Sequence, residues 1–243
     1  MAILLRSNTS KLMTLKAIFT FLLLAASVVQ AQESLSQFIE LKEAYPEETI
    51  LQLDKKVTYR IFLDKSELAA EVDHQDKFIY LKNLAMLSTD KSIYTSDWYE
   101  ITDFEANTYY LENDKYKKLK VKDYKEKKES SGYIFYDDTK ELVFTFPSVS
   151  EGSVIELNTT HKIHEPRILN SVYINSIVPI RKFEFTIEID EEIDLNLDNQ
   201  QFMNDEVKFE KTSRGNKIIY KWSGQNLSHI KEEKFMPDPK YFA

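Results

Sequence analysis

The stretch Arg181–Asp190, RKFEFTIEID, sets the strongest constraint on what this chain can fold into. Phe183, Phe185, Ile187 and Ile189 alternate with Glu184, Thr186, Glu188 and Asp190. A period of two puts the four apolar side chains on one side of an extended strand and the polar ones on the other, whereas a helix would scatter both sets around its axis. The same alternation recurs in VTYRIFL (57–63), in KFIYLK (77–82) and in YKKLKVKDY (116–124), where Tyr116, Leu119, Val121 and Tyr124 stand among lysines. In DDTKELVFTFPSVSEGSVIEL (137–157), Leu142, Phe144 and Phe146 share one face, with Val143 and Thr145 on the other. Pro147 lacks an N–H and ends that ladder. Glu151-Gly152 turns the chain, and Ile155 and Leu157 return to the core. The run VKFEKTSRGNKIIYKW (207–222) predicts a hairpin across Arg214-Gly215-Asn216. All four glycines, 132, 152, 215 and 224, are expected at breaks rather than inside strands. The expected fold is an all-β, antiparallel sandwich of two sheets. It occupies one continuous domain over residues 49–243, with two subdomains meeting near Ile177–Pro179 as the alternative.

The start of the chain carries a different signal. Lys16 precedes an uncharged stretch, Ala17–Val29, followed by VQA ending at Ala31. A charged residue, an apolar run and a small-x-small end predict a secretory signal peptide over residues 1–31, with Met13 as an alternative true start. The run is shorter than the ~20 residues of a membrane-spanning helix. Residues 32–48 form a short helical lead-in, with Leu35, Phe38, Ile39 and Lys42 at helical spacing and Pro46 closing the run. The chain has no cysteine. Its stability must therefore come from the core and from backbone pairing, and no anchor can be attached through cysteine. A periplasmic or secreted destination follows, free of the membrane after cleavage. Hydrophobic residues make up 42% of the chain, enough for a sizeable core. The formal net charge of -8 argues against nucleic acid or an anionic membrane as partner, since either needs a basic face.

Reactive constellations are scarce. His161 and His164 in HKIHEP, with Glu165, invite a metal reading, but residues three apart on a strand point to opposite faces. His74 and His229 have no evident partners in the sequence. The acidic run Glu188–Asp198 lacks the central glycine and closing glutamate of an EF-hand loop. Its interleaved Ile189, Ile193, Leu195 and Leu197 read better as a solvated strand face. The basic run 114–130 reads as an exposed strand whose lysines discourage edge-to-edge pairing, with a patch for acidic glycans or nucleic acid as the alternative. Trp98-Tyr99 are candidate sugar-stacking residues, while Trp222, alternating with Ile218 and Tyr220, reads as core. The nucleophile elbow, the P-loop and the HExxH zinc motif are all missing from the sequence. No catalytic, cofactor-binding or metal residues are therefore assigned.

Several segments in order resemble a known family, the domain of unknown function 3857. They are YPEETILQL, ITDFEANTYYLENDKYKKLKVKDY, IFYDDTKELVFTFPSVSEGSVIEL, HEPRILNSVYINSIVPIRKFEFTIEID and YKWSGQNLSHIKEEKFMPDP. The most specific element runs from Phe146-Pro147 through Val149 and Gly152-Ser153 to Ile155-Glu156. The resemblance implies an immunoglobulin-like β-sandwich, exported in Gram-negative bacteria, at the N-terminus of proteins with a transglutaminase-like core. In that family the catalytic Cys, His and Asp belong to the core that follows, and a chain without cysteine does not carry them. The expectation is an exported, non-catalytic module whose partner is a transglutaminase-like domain or another exported protein. A carbohydrate- or peptide-binding module is the alternative, and a hydrolase the weaker one.

Overall fold

The computed structural model describes residues 34–83, 89–128, 139–167, 169, 172, 174, 176–197 and 206–229. The expected leader, Gly132 and the segment 230–243 lie outside the described residues. Among the described residues, one helix, α1 (Ser34–Ala44), precedes eleven strands. These are β1 (Ile50–Asp64), β2 (Glu67–Tyr80), β3 (Asp90–Thr95), β4 (Tyr99–Glu112), β5 (Lys115–Lys120), β6 (Tyr124–Lys128), β7 (Lys140–Thr145), β8 (Val154–Ile163), β9 (Ile180–Asp190), β10 (Val207–Arg214) and β11 (Lys217–Leu227). They form an eight-stranded sheet in the order β10-β11-β9-β1-β2-β8-β4-β5 and a three-stranded sheet in the order β3-β7-β6. The all-β sandwich read from the alternation is present. Its neighbours pair antiparallel except β1 and β9, which run parallel.

Alternation on the long strands creates two faces. The inner face carries Val57, Tyr59 and Ile61 of β1, Val72 and Tyr80 of β2, Ile155 and Ile163 of β8, and Phe183, Ile187 and Ile189 of β9, all buried. At one end the small sheet covers it, packing Phe144 and Phe146 against Tyr80, Ala106 and Ile155. At the other end Leu169, Val172, Ile174, Ile193, Leu195 and Leu197 cover it from irregular segments. On the outer face an apolar patch receives α1, with Phe38 and Leu41 on Leu51, Ile79 and Val154.

Several expectations are corrected. Ile39, expected on the packed side of the helix, is 48% exposed, and Leu41, four residues before Tyr45, takes the buried place. Residues 116–124 are not one strand. β5 ends at Lys120, Val121 donates its N–H to Ala106 O at 2.8 Å, and the chain crosses to the other sheet before β6 begins. Both halves are edge strands, so the lysines do line edges, one in each sheet. The 188–198 run leaves the strand at Asp190; Ile193, Leu195 and Leu197 fold back over the inner face instead of continuing a ladder. Gly224 lies inside β11, not at a break. A Cβ there would meet Leu227 Cδ2 at 2.6 Å and Glu206 O at 3.0 Å, so the close return of the chain demands glycine. The predicted hairpin is present, with Arg214 opposite Lys217 and Gly215 at φ +64°. The turns at Lys65-Ser66 and Asn113-Asp114 join their strands with positive φ at both residues and no glycine. β7 and β8, read as one strand–turn–strand unit, lie in different sheets, so the turn at Glu151-Gly152 carries the chain from one layer to the other.

Candidate functional site

Two kinds of polar region stand out, one packed along the inner face and one open. The first, with Gln52 and His161 buried and Lys55, His74, Asp76 and Tyr99 half-buried, divides the inner face into its two apolar halves. A register shift in β1 between Gln52 and Asp54 inserts an extra residue, which lets Gln52 and Lys55 flank Asp76 on the same face. Gln52, 3% exposed, donates from Nε2 to Asp76 Oδ1 at 2.6 Å. Lys55 lies directly opposite Asp76 in the ladder. Burial pushes the Asp76 carboxyl up and the Lys55 ammonium down, each partly offset by the other's charge.

Beside this pair lie His74, Tyr99 and His161. His74 Nε2 sits 2.9 Å from the Tyr99 hydroxyl. The Tyr99 ring stacks on His161 at 4.2 Å between centroids, and His74 meets His161 edge-on at 5.7 Å. His161 is 2% exposed, and neither ring nitrogen has a hydrogen-bond partner. Burial, reinforced by His74, lowers the His161 imidazole to about 4, and burial likewise lowers His74. Both rings are neutral at pH 7. His161 and His164 diverge as strand geometry requires: His164, just past β8, is exposed and lies 3.0 Å from Glu100 Oε2. Among the described residues, no three His, Asp or Glu side chains converge as a metal site. The seam therefore places two neutral imidazoles and a phenol in contact, yet neither open cleft described below is lined by them. Sequence reading missed this cluster. The signal available was His74 and His161 interrupting apolar alternation in β2 and β8.

The first open cleft, about 930 Å³, lies between the first half of β4 and strands β6 and β7. β5 pairs with β4 only from Asn107 to Glu112, so this half of β4 faces the opening. Lys120, Lys122 and Lys140 line it together with Glu100, Asp103 and Glu126, so its charges are nearly balanced. Tyr124, 55% exposed, lies in its wall, and Trp98, 60% exposed, adjoins the Asp97 rim. Tyr99, the other sugar-stacking candidate, turns inward onto His161. Trp222 is core as read, stacked on Phe185 at 5.0 Å.

The second is a groove of about 760 Å³ on the outer face, flanked by α1. Its floor is Leu53, Ile79 and Val154 with the Tyr109 and Tyr116 rings. The Tyr116 hydroxyl donates to Gly152 O at 2.8 Å, and burial pushes it up to about 12; the Tyr109 hydroxyl donates to Glu156 Oε2 at 2.8 Å. Both rings are thus held in place. Lys77, Lys115, Arg181 and Lys182 rim the groove against one acid, Asp54. The basic 114–130 run therefore divides, with Lys115 and Tyr116 in this groove and Lys120, Lys122, Tyr124 and Glu126 in the other cleft. His229, the remaining histidine, lies 3.3 Å from Glu48 Oε1.

With this geometry in hand, comparisons with known proteins are informative about fold and family. A crystal structure of a candidate protease from Parabacteroides distasonis matches with a TM-score of 0.60 at 16% identity. The match covers 78% of this chain but 38% of that one. The leukotriene A4 hydrolase of Saccharomyces cerevisiae (TM-score 0.38, 12% identity, 74% and 30% covered) shares too little geometry to carry an argument. The same holds for a candidate nutrient-binding protein of Legionella pneumophila (0.34, 10%, 74% and 64%). No curated protein sequence matches the chain. The model of one family, Domain of Unknown Function with solved-structure structure (DUF3857), matches residues 91–231, more than half of the sequence, and the chain belongs to that family.

Proposed function

We propose that this protein is an exported, non-catalytic β-sandwich module that holds a partner chain on its surface. The observation that carries the reading is the contrast between its polar regions. His161 is buried in the inner seam with His74 and Tyr99 packed on it, and burial lowers both imidazoles, whereas the groove on the outer face is open and lined by hydrogen-bonded tyrosine rings and a charged rim. That is the lining of a recognition surface. The family resemblance extends the proposal to an accessory role beside a transglutaminase-like core or another exported protein. The chain's span of 38% of the Parabacteroides distasonis protein supports a unit that occurs within larger proteins. A second reading, glycan binding, is favoured by exposed Trp98 next to the β4 cleft.

The test is to express the whole gene in a Gram-negative host and follow its product. The expected outcome is cleavage after Ala31, recovery from the periplasmic fraction, and no turnover of casein, peptide esters, glycans or an amine-donor/glutamine-acceptor pair. Retention of the leader in the cytoplasm would overturn the export half of the proposal. Turnover of any of these substrates, lost on substituting His74, would overturn the non-catalytic half.

A further inference from the structure

The two ends of the large sheet are built differently. β5 closes it on one side and β10 on the other. Four of the six β5 residues are lysines (Lys115, Lys117, Lys118 and Lys120), so two copies of that edge would set lysine against lysine in any in-sheet register, which blocks self-association. β10 pairs with β11 alone among the described residues, and every residue from Lys208 to Arg214 is exposed. It sets one acid, Glu210, among its bases and carries Phe209, 52% exposed.

Backbone geometry decides what this edge presents. The two-residue turn at Gly215-Asn216 makes Arg214 and Lys217 a hydrogen-bonded pair, and such pairs alternate along an antiparallel ladder. Lys208, Glu210, Thr212 and Arg214 therefore direct their main-chain groups to β11, while Val207, Phe209, Lys211 and Ser213 aim theirs outward. On the inner face Phe209 ends an aromatic row. It stands opposite Trp222 with ring centroids 5.0 Å apart, and Trp222 stacks on Phe185 at 5.0 Å. On the outer face Lys208 stands opposite Ser223, and Glu210 opposite Lys221, whose ammonium lies 2.8 Å from Glu184.

We propose that β10 pairs antiparallel with β10 of a second copy of this chain, about a two-fold axis that passes through Phe209 normal to the sheet. Such an axis keeps both inner faces on one side and opposes residues of the same face. Centring it on Lys208, Glu210 or Lys211 would set that residue's charge against itself. Centring it on Phe209 opposes Lys208 to the second copy's Glu210, and Glu210 to the second copy's Lys208. The outward main-chain groups of Val207, Phe209 and Lys211 then join in about six hydrogen bonds. Phe209 meets its own counterpart, which carries the aromatic row from one copy into the other. Centring on Thr212 would oppose Glu210 to Arg214 but leave Phe209 against the turn, with fewer main-chain bonds. The edge thus fits itself, and in one register. A contact one strand wide is small, so the dimer dissociates on dilution. The inference goes beyond the function proposed above and stands apart from it: an exported, inert chain that never dimerises refutes the dimer alone.

The experiment is sedimentation velocity of the purified chain from about 1 to about 200 µM, with charge reversals made singly and together. The expected result is a mass that rises from monomer toward dimer with concentration. Lys208→Glu and Glu210→Lys should each weaken the dimer at least about tenfold by setting like charges together, and the K208E/E210K double variant should restore it to within about threefold. Each variant's thermal midpoint should stay near the parent's, since both side chains are exposed. Phe209→Cys introduces a thiol into a chain that has none and should give a disulfide-linked dimer under mild oxidation, whereas Thr212→Cys should not. A monomer at all these concentrations, which would leave the edge to some other chain, would overturn the proposal. So would a dimer indifferent to either reversal, no recovery in the double variant, or cross-linking by Thr212→Cys in place of Phe209→Cys.

Discussion

The two faces of the large sheet are built by the same strands and do opposite things with charge. β2 sends His74 and Asp76 inward and Asp73 and Lys77 outward. Inward, burial lowers the histidines and raises the Asp76 carboxyl, the latter partly offset by the Lys55 charge. Outward, the charged groups reach partners or solvent. Asp73 accepts from Arg60 and from Thr160 Oγ1 at 2.8 Å, and Lys77 points into open groove. Which group is available to a partner is thus decided by residue parity along a strand, together with what covers each face.

Four substitutions test that contrast. The largest effect belongs to the inner apolar face, where Phe183→Ala should cost about 3–5 kcal/mol because a 1%-exposed ring leaves a cavity; urea unfolding will measure it. A loss below about 1 kcal/mol would mean that the covering segments collapse onto the gap. Gly224→Ala comes next, at about 1–3 kcal/mol, since its methyl must displace Leu227 or the Glu206 backbone.

His161→Phe works in the opposite direction. It removes two buried ring nitrogens without partners while keeping a ring against Tyr99, and should raise stability by about 1 kcal/mol at pH 7. Its pH dependence is the sharper readout. In the native protein His161 takes a proton only near 4, whereas in the unfolded chain it does so near the ordinary value of 6.5. The unfolded state therefore binds more protons between those limits, and native stability must fall as pH drops from about 6.5 toward 4. The Phe variant should lose that part of the slope in thermal melts recorded from pH 7 to 4. The smallest effect is expected on the outer face: Lys77→Ala should change stability by no more than about 0.5 kcal/mol, because its exposed side chain gains little from Asp54 and Glu156, its cross-strand neighbours.

Alternation made most of this architecture legible before any coordinates. Phe183, Phe185, Ile187 and Ile189 do share a face, Leu142, Phe144 and Phe146 are all buried with the two phenylalanines packed against the large sheet, and the Arg214–Lys217 hairpin closes where glycine permits it. Those features depend on local geometry, which a period of two encodes directly. The break after Lys120 was not legible, because Val121 continues the alternation and only its hydrogen bond to Ala106 shows the chain changing sheets. Gly224 looked like a break for a similar reason: the backbone that crowds it, at Glu206, is distant in sequence.

By itself, the amino-acid sequence determined that this chain is a two-layered β protein without cysteine chemistry, since side-chain parity and composition are properties of the chain alone. Tertiary structure decided the rest. His74, Tyr99 and His161 come from three strands, and the cations of the groove from β2, β5 and β9. Only the order of strands in the sheet brings them together, and only the layers packed above them settle which become core and which remain in water.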